Sequence, residues 1–234
     1  MCSPTPKALT FDLFGTILDL EGSLTPVIQR FLIGHGSSLE PTRLWRELRA
    51  RQRIEQYQDN LLMLGHSGYL GAVRRAFRYV LNLNAIPFTD EEVQGFVESW
   101  KGLSPFEDAV EGLNRLRGRY RLVVLSNGED WFLRHLLGER VGFEFDEVFS
   151  VERVGVFKPH PAVYRACARM LGREPHELMM VSSNTFDVMG ARACGFQAAW
   201  VRRQELPYEE TLLRPTLVVR DFLELSDSLS RSET

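Results

Sequence analysis

Cysteine is scarce in this 234-residue chain: Cys2, Cys167 and Cys194 are scattered, odd in number and without a C-x-x-C spacing. A disulfide framework and a zinc site are thereby excluded, and a reducing compartment is expected. Cys167 and Cys194 fall in small-residue helical runs and read as packing. No apolar run approaches the roughly 20 residues that span a bilayer, and the opening MCSPTPK has no apolar signal region. An unexported, cytoplasmic protein is the expectation. Excess positive charge is missing too, since the formal net charge is -3 and the isoelectric point about 6.0. Nucleic acid and anionic membranes are poor partners for such a surface, which leaves small soluble molecules. There are no internal repeats and no low-complexity tracts.

What is present is a chain 44% hydrophobic, long enough for one sizeable core and a second small lobe. Its organising stretch is FDLFGT at 11–16. An apolar run from Ala8 to Phe11 carries a strand up to one carboxylate, Asp12, after which Gly15 permits a sharp turn and Thr16 offers a hydroxyl. In open α/β sheets ligands bind beyond the carboxyl ends of strands, so Asp12 is a candidate nucleophile. The plainer reading is an aspartate capping its own turn.

Helical periodicity follows at residues 25–33, 41–63, 69–83 and 89–100, the last opened by Thr89 as N-cap with acidic residues behind it. No convincing strand interrupts 20–103, which marks a helical insertion after the first strand. From residue 104 strands and helices alternate: helices at 107–117, 130–137, 161–171 and 186–194, strands at 122–125, 148–150, 178–181, 198–201 and 217–219, then a terminal helix. Alternation of this kind predicts an α/β fold, a doubly wound parallel sheet with helices on both faces. Residues 226–234 look frayed and polar.

Three later strand ends also carry polar groups. Ser126-Asn127-Gly128 is a strong turn signal, and equally a hydroxyl, an amide and backbone N–H groups suited to an anion. Lys158, between Phe157 and Pro159, is a surface charge or a cation that keeps Asp12 ionised. In Ser182-Ser183-Asn184-Thr185-Phe186-Asp187, Asn184 and Asp187 resemble a helix cap; a carboxylate there also stays ionised beside a lysine.

Taken together, Asp12 with Thr16, Ser126, Lys158, and Asn184 with Asp187 resemble the four motifs of the haloacid dehalogenase superfamily, over the whole chain. The resemblance implies a Rossmann-like core at 1–18 and 104–234 and a helical cap domain at 19–103. Most members are Mg²⁺-dependent phosphatases, with a second Asp two residues after the nucleophile and a Gly-Asp pair ending the fourth-motif strand. This chain has Phe14 and Ser182-Ser183 there, so two expected acidic positions are gone.

These departures match the L-2-haloacid dehalogenase branch, Phe14 standing for its Tyr. The resemblance implies that Asp12 attacks C2 of a short 2-halocarboxylate, expels halide with inversion and forms an ester that water hydrolyses to a D-2-hydroxy acid. It implies Thr16 and Lys158 positioning Asp12, Ser126 and backbone amides holding the substrate carboxylate, and Ser182, Asn184 and Asp187 holding Lys158 and the water. Leu13, Phe14, Asn127, Tyr164 and Phe186 would line the substrate and halide pocket. A cap arginine is also implied, and Arg51, six residues before Tyr57, is chosen over Arg46 and Arg49. No cofactor and no metal are expected, and a homodimer is a family expectation. Two alternatives stay open: a phosphate-ester hydrolase with a degenerate metal site, and a non-enzymatic binder of small carboxylates.

Overall fold

The computed structural model describes residues 5–231, so Cys2 lies outside the described residues. In chain order the elements are β1 (Ala8–Phe11), β2 (Leu18–Asp19), α1 (Leu20–Gly34), α2 (Pro41–Leu61), α3 (Tyr69–Leu83), α4 (Asp90–Ser99), β3 (Ser104–Pro105), α5 (Glu107–Leu116) and β4 (Arg121–Ser126). There follow α6 (Asp130–Leu136), β5 (Glu147–Ser150), α7 (Pro161–Leu171), β6 (Leu178–Ser182), α8 (Thr185–Ala193), β7 (Gln197–Val201), β8 (Leu217–Val219) and α9 (Phe222–Arg231). The order in the main sheet is β5-β4-β1-β6-β7-β8, every pair parallel.

The near-continuous apolar runs of β1, β4 and β6 are what a parallel sheet covered on both faces requires. Alternation divides them: Leu9, Phe11 and Val124 pack into one core with Phe222 and Leu113, whereas Ala8, Val123 and Met180 join a second with Tyr164 and Cys167. The register positions the site. Phe11 lies opposite Val124 on one side and Val181 on the other, so the three strands end level. The residues that follow them, Asp12, Ser126-Asn127 and Ser182-Ser183, share one edge.

The helices α1 to α4 lie between β2 and β3, which pair antiparallel, Leu18 with Pro105 and Asp19 with Ser104. This ribbon escaped the sequence reading because two-residue strands carry no periodicity. The first helix also begins earlier than expected, at Leu20, because Asp19 accepts from Gly22 N at 2.9 Å; Pro26 lies inside it. The cap expected at Thr89 is a full capping box with Glu92. Residues 226–231, expected to fray, continue α9 and bury Ser226 and Leu229.

The crossing of α5 and α9 depends on Gly112, where an added Cβ would lie 2.4 Å from Phe222 Cβ and 2.7 Å from its carbonyl. Gly112→Ala is expected to cost about 1–3 kcal/mol by overpacking. Urea denaturation should show a lower midpoint at unchanged slope; an unchanged midpoint would mean the helices separate freely.

Candidate active site

Beyond β1 the backbone turns back at Gly15, whose φ of +84° is easy only for glycine. The turn brings the Thr16 hydroxyl 2.9 Å from Asp12 Oδ2, to which it donates. Ser183 ties the neighbouring loop in, its N–H donating to Thr16 Oγ1 at 2.9 Å and its hydroxyl to the Gly15 carbonyl at 2.7 Å. Asn184 Nδ2 donates to Asp12 Oδ2 at 2.8 Å and to the Phe14 carbonyl at 3.2 Å. Asn184 thus holds the N-cap position of α8 without a side-chain cap bond, which corrects the capping reading: its amide serves Asp12.

Lys158 is 1% exposed, and its ammonium donates to Asp12 Oδ1 at 3.0 Å and to Asp187 Oδ2 at 2.7 Å. Tyr164 donates its hydroxyl to Asp187 Oδ1 at 2.7 Å, and the Lys158 N–H donates to Asn127 Oδ1 at 2.8 Å. Burial pulls the ammonium of Lys158 down, but Asp12 and Asp187 outweigh it and hold it above the ordinary lysine range. Burial pushes the Asp187 carboxyl up, with Asp12 adding to the rise and Lys158 opposing it. Burial, with Asp187 beside it, drives the Tyr164 phenol far above its usual range. The cluster is a carboxylate held by an ammonium, a hydroxyl and an amide, almost out of water.

The structure therefore brings together Asp12, Thr16, Lys158, Asn184 and Asp187. Ser182 stands one step back, its hydroxyl accepting from Asn184 N at 3.1 Å. The Ser126 hydroxyl is buried without a partner. Phe14 stacks on Tyr69 with centroids 4.0 Å apart, and Phe186 meets Tyr57 edge-on at 6.1 Å. Three placements differ from the expected ones. Leu13 is fully buried in the main core, because side chains alternate and Asp12 takes the opposite side. Tyr164 stands behind Asp187, buried among Phe196 and its neighbours. Arg51 turns away: it pairs with Glu55 and lies over the Tyr79 ring at 4.1 Å, on the side of α2 that faces α3.

The α2 face that meets the core carries instead Arg46, Arg49, Arg53, Gln56 and Asn60, recurring at three- and four-residue spacing. Arg46, Arg49 and Arg53 line a cleft of about 630 Å³ with Asn184, Trp200 and Glu209; Asp12, 5% exposed, is not part of its lining and is linked to it through Asn184, which donates to Asp12. Arg49 donates to the Tyr69 hydroxyl at 3.3 Å and to Gln52. Arg46 and Arg49 were weighed and passed over for Arg51 because spacing from Tyr57 was counted along the chain, and Arg53, Gln56 and Asn60 were not singled out; the shared helical face was the available signal. His66, whose Nε2 lies 2.9 Å from the Asn127 carbonyl, had no sequence signal at all.

Comparison with known proteins gives concordant results. A model of the haloacid dehalogenase-like hydrolases matches residues 6–195. The chain is similar to an (S)-2-haloacid dehalogenase of Pseudomonas fluorescens, 31% identical over 228 residues and 97% of each chain. It is 33% identical over 198 residues to one of Xanthobacter autotrophicus, covering 84% of this chain and 75% of that one. The solved L-2-haloacid dehalogenase of Xanthobacter autotrophicus superposes with a TM-score of 0.85 at 27% identity, over 97% of this chain and 99% of that one. Another structure of that enzyme, with chloropropionic acid covalently bound, gives 0.84 at 26% identity over 98% and 100%.

Proposed function

The chain belongs to the haloacid dehalogenase-like hydrolases, and from that premise we propose a metal-independent dehalogenase that converts short L-2-haloacids to D-2-hydroxy acids through an ester on Asp12. The observation that carries this reading is the buried Asp12 carboxylate, fixed by Lys158, Thr16 and the cleft residue Asn184. Residues 19–103 act as the cap over a core of 1–18 and 104–234.

A Mg²⁺ ion needs hard oxygen ligands, and the residues present do not fit it. Phe14 gives an aromatic ring stacked on Tyr69, and Ser183 spends its hydroxyl on the Gly15 carbonyl. Among the described residues no cluster of three His, Cys, Asp or Glu could hold a metal. Displacement at an sp³ carbon by carboxylate asks only for a fixed nucleophile and a received leaving group.

In that reaction an Asp12 oxygen bonds to C2 as the carbon–halogen bond breaks, and halide leaves with the electron pair from the opposite face, inverting C2. Arg49, replacing Arg51 in this role, receives it together with Asn127. Ser126, whose hydroxyl has no protein partner, receives the substrate carboxylate. Water then attacks the ester carbonyl. An ammonium has three donors; two of those on Lys158 are spent on Asp12 and Asp187, and the third steadies the oxyanion. Asp187, its carboxyl pushed up by burial, takes the water's proton.

Racemic 2-chloropropionate is expected to lose only its L form, with stoichiometric halide release indifferent to EDTA. A single turnover in ¹⁸O-water should label Asp12 and not the product, since the ester carbonyl carbon belongs to the protein. Label in the product would mean direct attack of water on C2; no halide from any short 2-haloacid with a folded protein would overturn the proposal.

A further inference from the structure

A row of donors on α2 faces the site with no anion to hold. Residues 46, 49, 53, 56 and 60 share one face at 3.6 residues per turn. The row is anchored at two points: Arg53 Nη2 donates to Asn184 Oδ1 at 3.3 Å, and Asn60 grips the Phe157 backbone, donating to its carbonyl and accepting from its N–H, each at 2.8 Å. Asn184 holds one Asp12 oxygen and Lys158, next after Phe157, holds the other. Gln56, three residues after Arg53 and four before Asn60, stands between the two anchors on the same face.

Gln56 is 4% exposed and its Nε2 has no partner among the described residues. A buried orphaned donor in a native protein calls for an explanation, and the hydrogen bonds around it give none. Gln52, one turn back, repeats the pattern: Arg49 occupies its Oε1, while its Nε2, beside Tyr69, makes no bond of good geometry. Arg46, Arg49 and Arg53 have no carboxylate within ion-pair distance among the described residues; their contacts include the Thr42 carbonyl, the Gln52 and Tyr69 side chains, the Asn184 amide, and the rings of Trp45 and Phe186. The cleft's own carboxylates are engaged elsewhere, Asp19 with Gly22 N, Glu21 with Gln204, Glu205 with Arg202 and Glu209 with the Thr185 hydroxyl. Burial and the like charge of Arg49 hold Arg53 below the ordinary arginine range, outweighing the more distant Glu209 carboxylate and the phenols of Tyr57 and Tyr69.

Resting on the dehalogenase reading, we propose that the preferred substrate is a short 2-haloacid bearing a second carboxylate, received by the Gln56 amide and the Arg53 guanidinium while C2 lies over Asp12. A 2-halobutanedioate has that form. An alkyl side chain of equal length would leave a buried amide and the arginines without partners, the condition under which a polar site rejects an apolar analogue most strongly.

The test pairs turnover with binding. Halide release is compared for 2-chlorobutanedioate, 2-chlorobutanoate and 2-chloropropionate, and calorimetry compares the unreactive butanedioate and butanoate. The wild type is expected to favour the dicarboxylate at least about tenfold in kcat/KM and in Kd. Gln56→Leu and Arg53→Met should each reduce that preference about tenfold, Arg53→Lys should restore part of it, and ligand-free Gln56→Leu should melt no lower than wild type, having lost an orphaned donor. Equal or better use of the monocarboxylates, or a preference unmoved by both variants, overturns the proposal. Butanedioate binding that depends on Gln56 without halide release from any haloacid supports the receptor and overturns the dehalogenase reading alone.

Discussion

Asp12→Asn is expected to remove halide release by at least about 10⁴-fold, the scale seen when a covalent nucleophile is deleted. The substitution keeps shape and volume, and its amide oxygen still accepts from Lys158 or Thr16. What it removes is the nucleophilic charge. It also removes the one charge that adds to burial in pushing Asp187 up, leaving Lys158 and Asp187 as a neutral buried pair. Stability at neutral pH should therefore hold or rise while turnover disappears. Calorimetric binding of the D-2-hydroxy acid should survive. A variant that loses activity and melts far earlier would place Asp12 in the architecture instead of the chemistry.

Lys158→Met should cost both activity and about 3–5 kcal/mol of stability, the penalty for removing one member of a buried ion cluster. Asp12 and Asp187 would then be buried without the cation they share, at 7% and 1% side-chain exposure. In the wild type the Lys158 ammonium sits above its ordinary range, so its contribution is complete below about pH 10.4 and is lost as pH rises through the elevated folded value. In the variant the direction is the same but the window moves down. Asp187, already pushed up by burial and by Asp12, loses the ammonium that opposed the rise, so stability falls as pH rises past about 3.9 through its elevated value. Denaturant titrations at about pH 4 and about pH 7.5 should show the deficit growing with pH, and adding Asp187→Asn should recover much of it at the higher value. A deficit independent of pH would mean that the loss comes from packing of the lysine stem.

Much of this arrangement was legible before any coordinates. The run Ala8 to Phe11 ended by Asp12 and the Ser-Ser-Asn loop at 182–184 each sit where a strand stops, and parallel register turns separate strand ends into one site; the lysine between Phe157 and Pro159, expected at a strand end, instead reaches that site from a loop eight residues beyond β5. Lys158 and Asp187 were readable because charge flanked by apolar sequence needs a partner. The cap was not readable to the same depth. On α2 many arginines occur within a few turns, and choosing among them requires knowing which face meets the core; Asn60 gripping Phe157 settles that, and no periodicity announces it. Leu13 and Tyr164 were misassigned for a related reason: proximity to a motif along the chain does not say on which side of the sheet a side chain falls. The ribbon of β2 and β3 was invisible because two residues make no pattern.

The pairing of β1 has a consequence for synthesis. Ala8 finds its neighbours at Arg121 and Leu178, so β1 leaves the ribosome well before either of the strands that close it in on both sides. At roughly 5–20 residues per second, β1 waits on the order of 10–30 s for β6 to emerge. The helices at 20–99 pack chiefly on one another, α1 on α2, α2 on α3 and α3 on α4, and have all emerged well before then. During that interval a chaperone sees an apolar strand with two open edges and a formed helical segment beside it. Any truncation short of about residue 190 leaves that strand without β6 or Asp12 without Asn184 and Asp187, so prematurely terminated chains are inert and prone to aggregate together.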